Sequence, residues 1–70
     1  MISEYSKTIV AGNLRAHRAK QRLTQEQLAD LANVSVQSIK NWENAQSVMN
    51  FDNAINLANA LKIELHEFLD

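Results

Sequence analysis

Seventy residues form one domain, 1–70, with a small core, since a chain of this length buries only about 60% of its unfolded surface. It has no cysteine, which excludes a disulfide, a thiolate nucleophile and a thiolate metal site, and fits a reducing cytoplasm. The net charge is −1, low for a partner of DNA, while one glycine, no proline and no sustained two-residue alternation leave an all-α reading.

The first helix is expected from Ser3 or Ser6 to Lys20, with Val10, Leu14 and Arg18 on one face at four-residue spacing. Gly12 weakens it by roughly 1 kcal/mol relative to alanine. Thr24 is an N-cap, and Gln27 three residues later completes a capping box. Leu28, Ala29, Leu31 and Ala32 then recur at helical spacing. Asn33 breaks that pattern where a left-handed residue is needed, a conformation that asparagine tolerates. Val34 returns to the core. Ser35 caps a third helix, Val36 to Glu43. Residues 44–50 are a polar loop carrying one apolar pair, Val48 and Met49.

Asn50 caps a fourth helix, Phe51 to Leu61, whose apolar set is Phe51, Ala54, Ile55, Ala58 and Leu61. Lys62 stands where a helix stop prefers glycine. Ile63 re-enters the core, and a fifth short helix from Leu65 to Leu69 places Leu65, Phe68 and Leu69 on one side. The expected core is Val10, Leu14, Leu28, Ala29, Val34, Ile39, Ile55, Ala58, Leu61, Ile63 and Phe68. No apolar run approaches the ~20 residues of a membrane span, and the N-terminus carries no signal-peptide pattern.

Charge is distributed unevenly. Residues 1–40 carry six basic side chains against Glu4, Glu26 and Asp30, a balance of +3. Residues 41–70 carry Lys62 against five acids, a balance of −4. One end of the sequence can face phosphate while the other repels it; the plainer reading is a mixed, solvated surface.

Two short amphipathic helices joined by a tight polar turn are the helix-turn-helix pattern, whose second helix lies in the DNA major groove. Gln37 and Asn41 are four residues apart and so share one face, opposite the side set by Ile39 and Trp42. Amides donate and accept together, which matches adenine N6 and N7, and Val36 suits a thymine methyl. Gln25 sits at a helix N-terminus, where free N–H groups and the dipole attract phosphate.

The segments NLRAHRAKQRLTQEQLA, NVSVQSIKNWEN and INLANALKIELHEFL, in that order and spacing, resemble the DNA-binding domain of lambdoid phage repressors and Cro proteins, the XRE type. The resemblance spans about Val10 to Leu69. It implies a compact five-helix domain with a central helix-turn-helix that binds double-stranded operator DNA, as a homodimer at least on DNA. Base contacts fall by resemblance on Val36, Gln37, Lys40 and Asn41, and phosphate contacts on Thr24, Gln25 and Asn44. Arg18 and Glu43 match an internal ion pair. The chain departs from the family at Asn33 and Ala45, where glycine is frequent, at Met49, where proline is frequent, and at His17, where an apolar residue is frequent.

The leading reading is a sequence-specific transcriptional regulator, a repressor. The second is a protein-interaction or antitoxin-like module that keeps the fold with weak or no DNA binding, which the scarcity of positive charge favours. An enzyme is not expected: Gly12 is the sole glycine, so there is no phosphate loop, and the serines lack a base and an oxyanion arrangement. His17 and His66 lack ligand spacing, and a zinc site takes about four ligands. No cofactor, metal or small-molecule ligand is expected.

Overall fold

The computed structural model describes residues 4–70, with side chains from Lys7 onward. Four α-helices run in order: α1 (Glu4–Lys20), α2 (Gln25–Ala32), α3 (Val36–Glu43) and α4 (Phe51–Leu61). A 3-10 turn, Leu65–Phe68, follows. Ser3, one candidate start of the first helix, lies outside the described residues, as does the side chain of Ser6.

The fifth helix of the sequence reading is therefore corrected to a single 3-10 turn. Its backbone bonds run Glu67 N–H to Glu64 O (3.0 Å) and Leu69 N–H to His66 O (2.9 Å), three residues apart rather than four. The turn buries Phe68 but leaves Leu69 59% exposed, so these two residues do not share a covered face.

Helix starts follow the caps. Thr24 Oγ1 accepts from Gln27 N–H at 3.0 Å, and Gln27 Oε1 accepts from Thr24 N–H at 2.8 Å. Ser35 Oγ accepts from Ser38 N–H at 3.1 Å, and Asn50 Oδ1 from Asn53 N–H at 2.8 Å.

Helix ends share one device. Arg22, Asn33, Ala45 and Lys62 all adopt positive φ, near 60°. Around each, the next residue donates five residues back: Leu23 to Arg18, Val34 to Ala29, Gln46 to Asn41 and Ile63 to Ala58. These are Schellman closures, and they satisfy carbonyls that a helix end leaves orphaned. Only Asn33 is a residue that tolerates this conformation well. Ala45→Gly is accordingly expected to raise stability by about 1 kcal/mol, the left-handed cost of a Cβ less the extra unfolded-state entropy of glycine. Urea unfolding checks this, and an unchanged midpoint would mean that the alanine sits there without strain.

The α2 helix packs on α3 and α4, while α1 packs on α3 and the 3-10 turn. Between them lie Val10, Leu14, Leu28, Ala29, Ala32, Ile39, Trp42, Met49, Leu57, Ala58, Leu61 and Phe68, with Val34 and Ile63 half-buried against this cluster. Ile55 is a correction: it is 37% exposed, and Leu57, absent from the expected set, is fully buried in its stead. Leu31 and Phe51 also point outward, at 61% and 67% exposure. Among the described residues, no helix is long and apolar enough to cross a membrane.

Candidate nucleic-acid interface

The third helix has two sharply different faces. Ile39, Trp42 and Glu43 are buried beneath it. On the outer side Gln37 and Lys40 are exposed and Asn41 is half-buried, whereas Val36, three residues before Ile39, is half-buried and packs against the core. The inner residues fix the helix against its neighbours, so its outer side chains are carried on a rigid element rather than a loop. Gln37 Nε2 donates to Asn41 Oδ1 at 3.0 Å, joining two of the outer side chains.

Thr24 and Gln25 stand at the N-terminus of α2. Thr24 is exposed, and its hydroxyl oxygen is engaged by the cap. Gln25 is half-buried, and its Nε2 donates to Glu43 Oε1 at 3.1 Å. That bond brings the start of α2 to the end of α3, where the exposed Asn44 follows Glu43 as the C-cap. Gln25 and Asn44 therefore border the same edge of α3.

Glu43 organises this edge from below. It is the buried charged residue of the core, with 2% of its surface exposed. Arg18 Nε donates to its Oε2 at 2.6 Å and Arg18 Nη2 to its Oε1 at 3.0 Å, a two-pronged pair. A third guanidinium nitrogen, Arg18 Nη1, donates to Leu23 O at 2.9 Å and holds the α1–α2 connection. The hydrogen bond with Glu43 raises the Arg18 pKa above the ordinary arginine value; desolvation opposes it, and the charges of Glu43 and Glu26 reinforce it. The stability gained from this shift is present at all ordinary pH and is lost only as pH climbs through that raised value.

Spacing alone left some of these contacts out of the reading. Arg15 Nη1 donates to the Glu43 carbonyl at the end of α3, where a cation also meets the negative end of the helix dipole. The clue was present: Arg15 lies three residues before Arg18 and so on the same side of α1. Asn13 Nδ2 donates to Phe68 O at 2.7 Å and Gln21 Nε2 to Leu61 O at 3.1 Å, tying α1 to the 3-10 turn and the residue after α1 to the end of α4. Among the described residues, no group of three His, Asp or Glu side chains is placed to hold a metal ion.

A short capped helix, a left-handed turn and a second capped helix with a polar outer face define the helix-turn-helix class of DNA-binding regulator. The family model described as "Helix-turn-helix" matches residues 14–68. The chain belongs to this family, in its XRE type. The restriction-modification controller protein C.AhdI from Aeromonas hydrophila is similar, with 31% identity and a TM-score of 0.85 over 89% of this chain and 94% of that one. A hypothetical transcription factor, NHTF from Neisseria, shares the fold at a TM-score of 0.89, with 22% identity over 97% of this chain and 79% of that one. No curated protein sequence matches the chain. Family and similar structures together identify a DNA-binding transcription regulator.

Proposed function

We propose that this chain is a sequence-specific repressor that works in the cytoplasm and reads the major groove with α3. The observation that carries the reading is the outer face of α3: Gln37 and Lys40 exposed and Asn41 half-buried, on a helix pinned from below by Ile39, Trp42 and Glu43. In this reading those three residues meet base edges, joined by the exposed part of Val36 at the rim of the core, while Thr24, Gln25 and Asn44 meet phosphates at the border of the groove. Arg18 and Glu43 take no part in binding and hold the helices in register. The similarity to a restriction-modification controller protein supports a regulator of the same kind.

A dimer suits this reading. One subunit offers few cations to DNA, and two copies related by a two-fold axis double the contacts and read half-sites about 34–36 Å apart. An open apolar groove lined by Val48, Phe51, Ala54, Leu65 and Leu69 supplies a surface for pairing. Phe51 and Leu69 are its exposed members, whereas Phe68, 3% exposed, belongs to the monomer core.

Selection of bound sequences from a random duplex pool tests the reading, together with a salt titration on random DNA. A repressor of this design selects inverted half-sites and shows a log–log slope of several released ions. A protein-interaction or antitoxin-like module that has lost DNA binding selects nothing and shows almost no slope. Gln25→Ala is expected to weaken binding to all sequences alike, by about 10- to 150-fold, the ~1.5–3 kcal/mol of a hydrogen bond to a charged group. A changed base preference with intact general affinity would place Gln25 among the base readers instead.

A further inference from the structure

We propose that Gln37 and Asn41 read bases as one polar unit, and that the hydrogen bond between them assigns which bases each accepts. The proposal rests on the base-reading role of α3 and extends it to the order of bases in a half-site.

Each of these amides owns two N–H donors and a carbonyl that accepts twice. The bond from Gln37 Nε2 to Asn41 Oδ1, at 3.0 Å, uses one donor of Gln37 and one acceptor site of Asn41. Gln37 keeps one N–H and its whole carbonyl. That is the pair adenine demands, an N–H to N7 and an acceptor for the N6 amino group. Asn41 keeps both N–H groups but only one of its two acceptor sites. Donors therefore dominate what it presents to the groove, which favours a base edge that presents acceptors, guanine N7 and O6 or thymine O4. Cytosine, whose major-groove group is the N4 donor, is disfavoured there.

The opposite polarity has a different consequence. If Asn41 donated to the carbonyl of Gln37, Gln37 would keep both N–H groups and only one acceptor site, which shifts its preference from adenine toward guanine. The balance between adenine and guanine at the Gln37 position thus reports the direction of the bond. The link also holds two flexible side chains on the exposed face before DNA arrives, which lowers the cost of ordering them on binding. Residues one helical turn apart face neighbouring base pairs. The expected half-site places adenine at the Gln37 position and guanine or thymine at a neighbouring position facing Asn41.

The experiment is selection from a random duplex pool by the full chain and three variants, Gln37→Ala, Asn41→Ala and Asn41→Asp, each checked for helicity and melting. Gln37→Ala locates the Gln37 base pair by the loss of adenine there, a preference of about 5- to 150-fold in the parent from the ~1–3 kcal/mol of one bidentate contact. Asn41→Asp keeps an acceptor for Gln37 but has no donor. It is expected to retain adenine at the Gln37 position and to switch its own position to cytosine. Asn41→Ala removes the partner, so preference is expected to fall at both positions, at the Gln37 position by at least threefold.

A surface hydrogen bond that serves only the helix would leave base preference at the Gln37 position untouched. Asn41→Ala altering its own base pair alone overturns the coupling while leaving base reading by α3 in place. Guanine at the Gln37 position, or cytosine facing Asn41 in the parent chain, overturns the assigned polarity. A parent chain that selects no sequence overturns base reading itself and the coupling with it, and the salt slope on random DNA separates that outcome from a loss of DNA binding altogether.

Discussion

Arg18→Ala is expected to remove about 3–5 kcal/mol of stability, the cost of leaving a buried charge without its partner. The Glu43 side chain is 3% exposed, and without Arg18 it would keep, among the described residues, the Gln25 amide as its hydrogen-bond donor. A chain of this length commands about 4–10 kcal/mol in total, so the variant is expected to lose about a third of its stability or more. The double variant Arg18→Met with Glu43→Leu should cost less than either charge-removing single change, because desolvation of the pair offsets most of its attraction. Urea unfolding followed by circular dichroism measures the single variants and the double. A loss below about 1 kcal/mol in the single variant, or a double variant as damaged as the sum of its parts, would show that the pair is solvated and weak. The damage is expected to reach the interface too, since Arg15, Arg18 and Gln25 all converge on Glu43 at the end of α3.

What could be read in advance follows the range of the interactions. Caps are local, so Thr24 with Gln27, Ser35 and Asn50 mark the starts of α2, α3 and α4 from sequence alone. The stops are less legible because Arg22, Ala45 and Lys62 are not residues that mark a left-handed turn. The better signal is the residue that follows. Leu23, Val34 and Ile63 are apolar, half-buried and packed on the core, and this contact draws the chain through the turn whatever side chain occupies it. At Ala45 the following residue is the exposed Gln46, and that signal is missing.

The outer face of α3 was legible by the same logic of short range: Ile39 and Trp42 set the inner side, and Gln37 and Asn41 fall opposite. The bond from Gln25 to Glu43 was not, because it spans 18 residues and exists only once α2 and α3 have docked. The short C-terminal element was misjudged for a related reason. Spacing groups Leu65, Phe68 and Leu69, but four residues cannot propagate an α-helix against its nucleation cost, and the turn that forms aims Leu69 at solvent.

The face of α4 shows how a single-sequence pattern can rotate, and it yields the sharpest test of packing. Ala54, Ala58 and Leu61 form a stripe, and Ile55 and Leu57 flank it on opposite sides; spacing accommodates either one. Contact with α2 decides between them, leaving Leu57 at 0% and Ile55 at 37% exposure. Leu57→Ala is therefore expected to cost about 2–5 kcal/mol, the lost transfer energy plus the cavity left among Leu28, Leu61 and their neighbours. Ile55→Ala, at a site already partly open to water, should cost less than half as much. For a domain of this size, each 1 kcal/mol shifts the melting temperature by about 4–8 °C, so the two variants are expected to separate by many degrees. Equal losses would mean that Ile55 is covered in solution, by a rotated α4 or by a second subunit. A concentration-dependent melting temperature would identify the subunit, because association stabilises by mass action while a rotated helix does not.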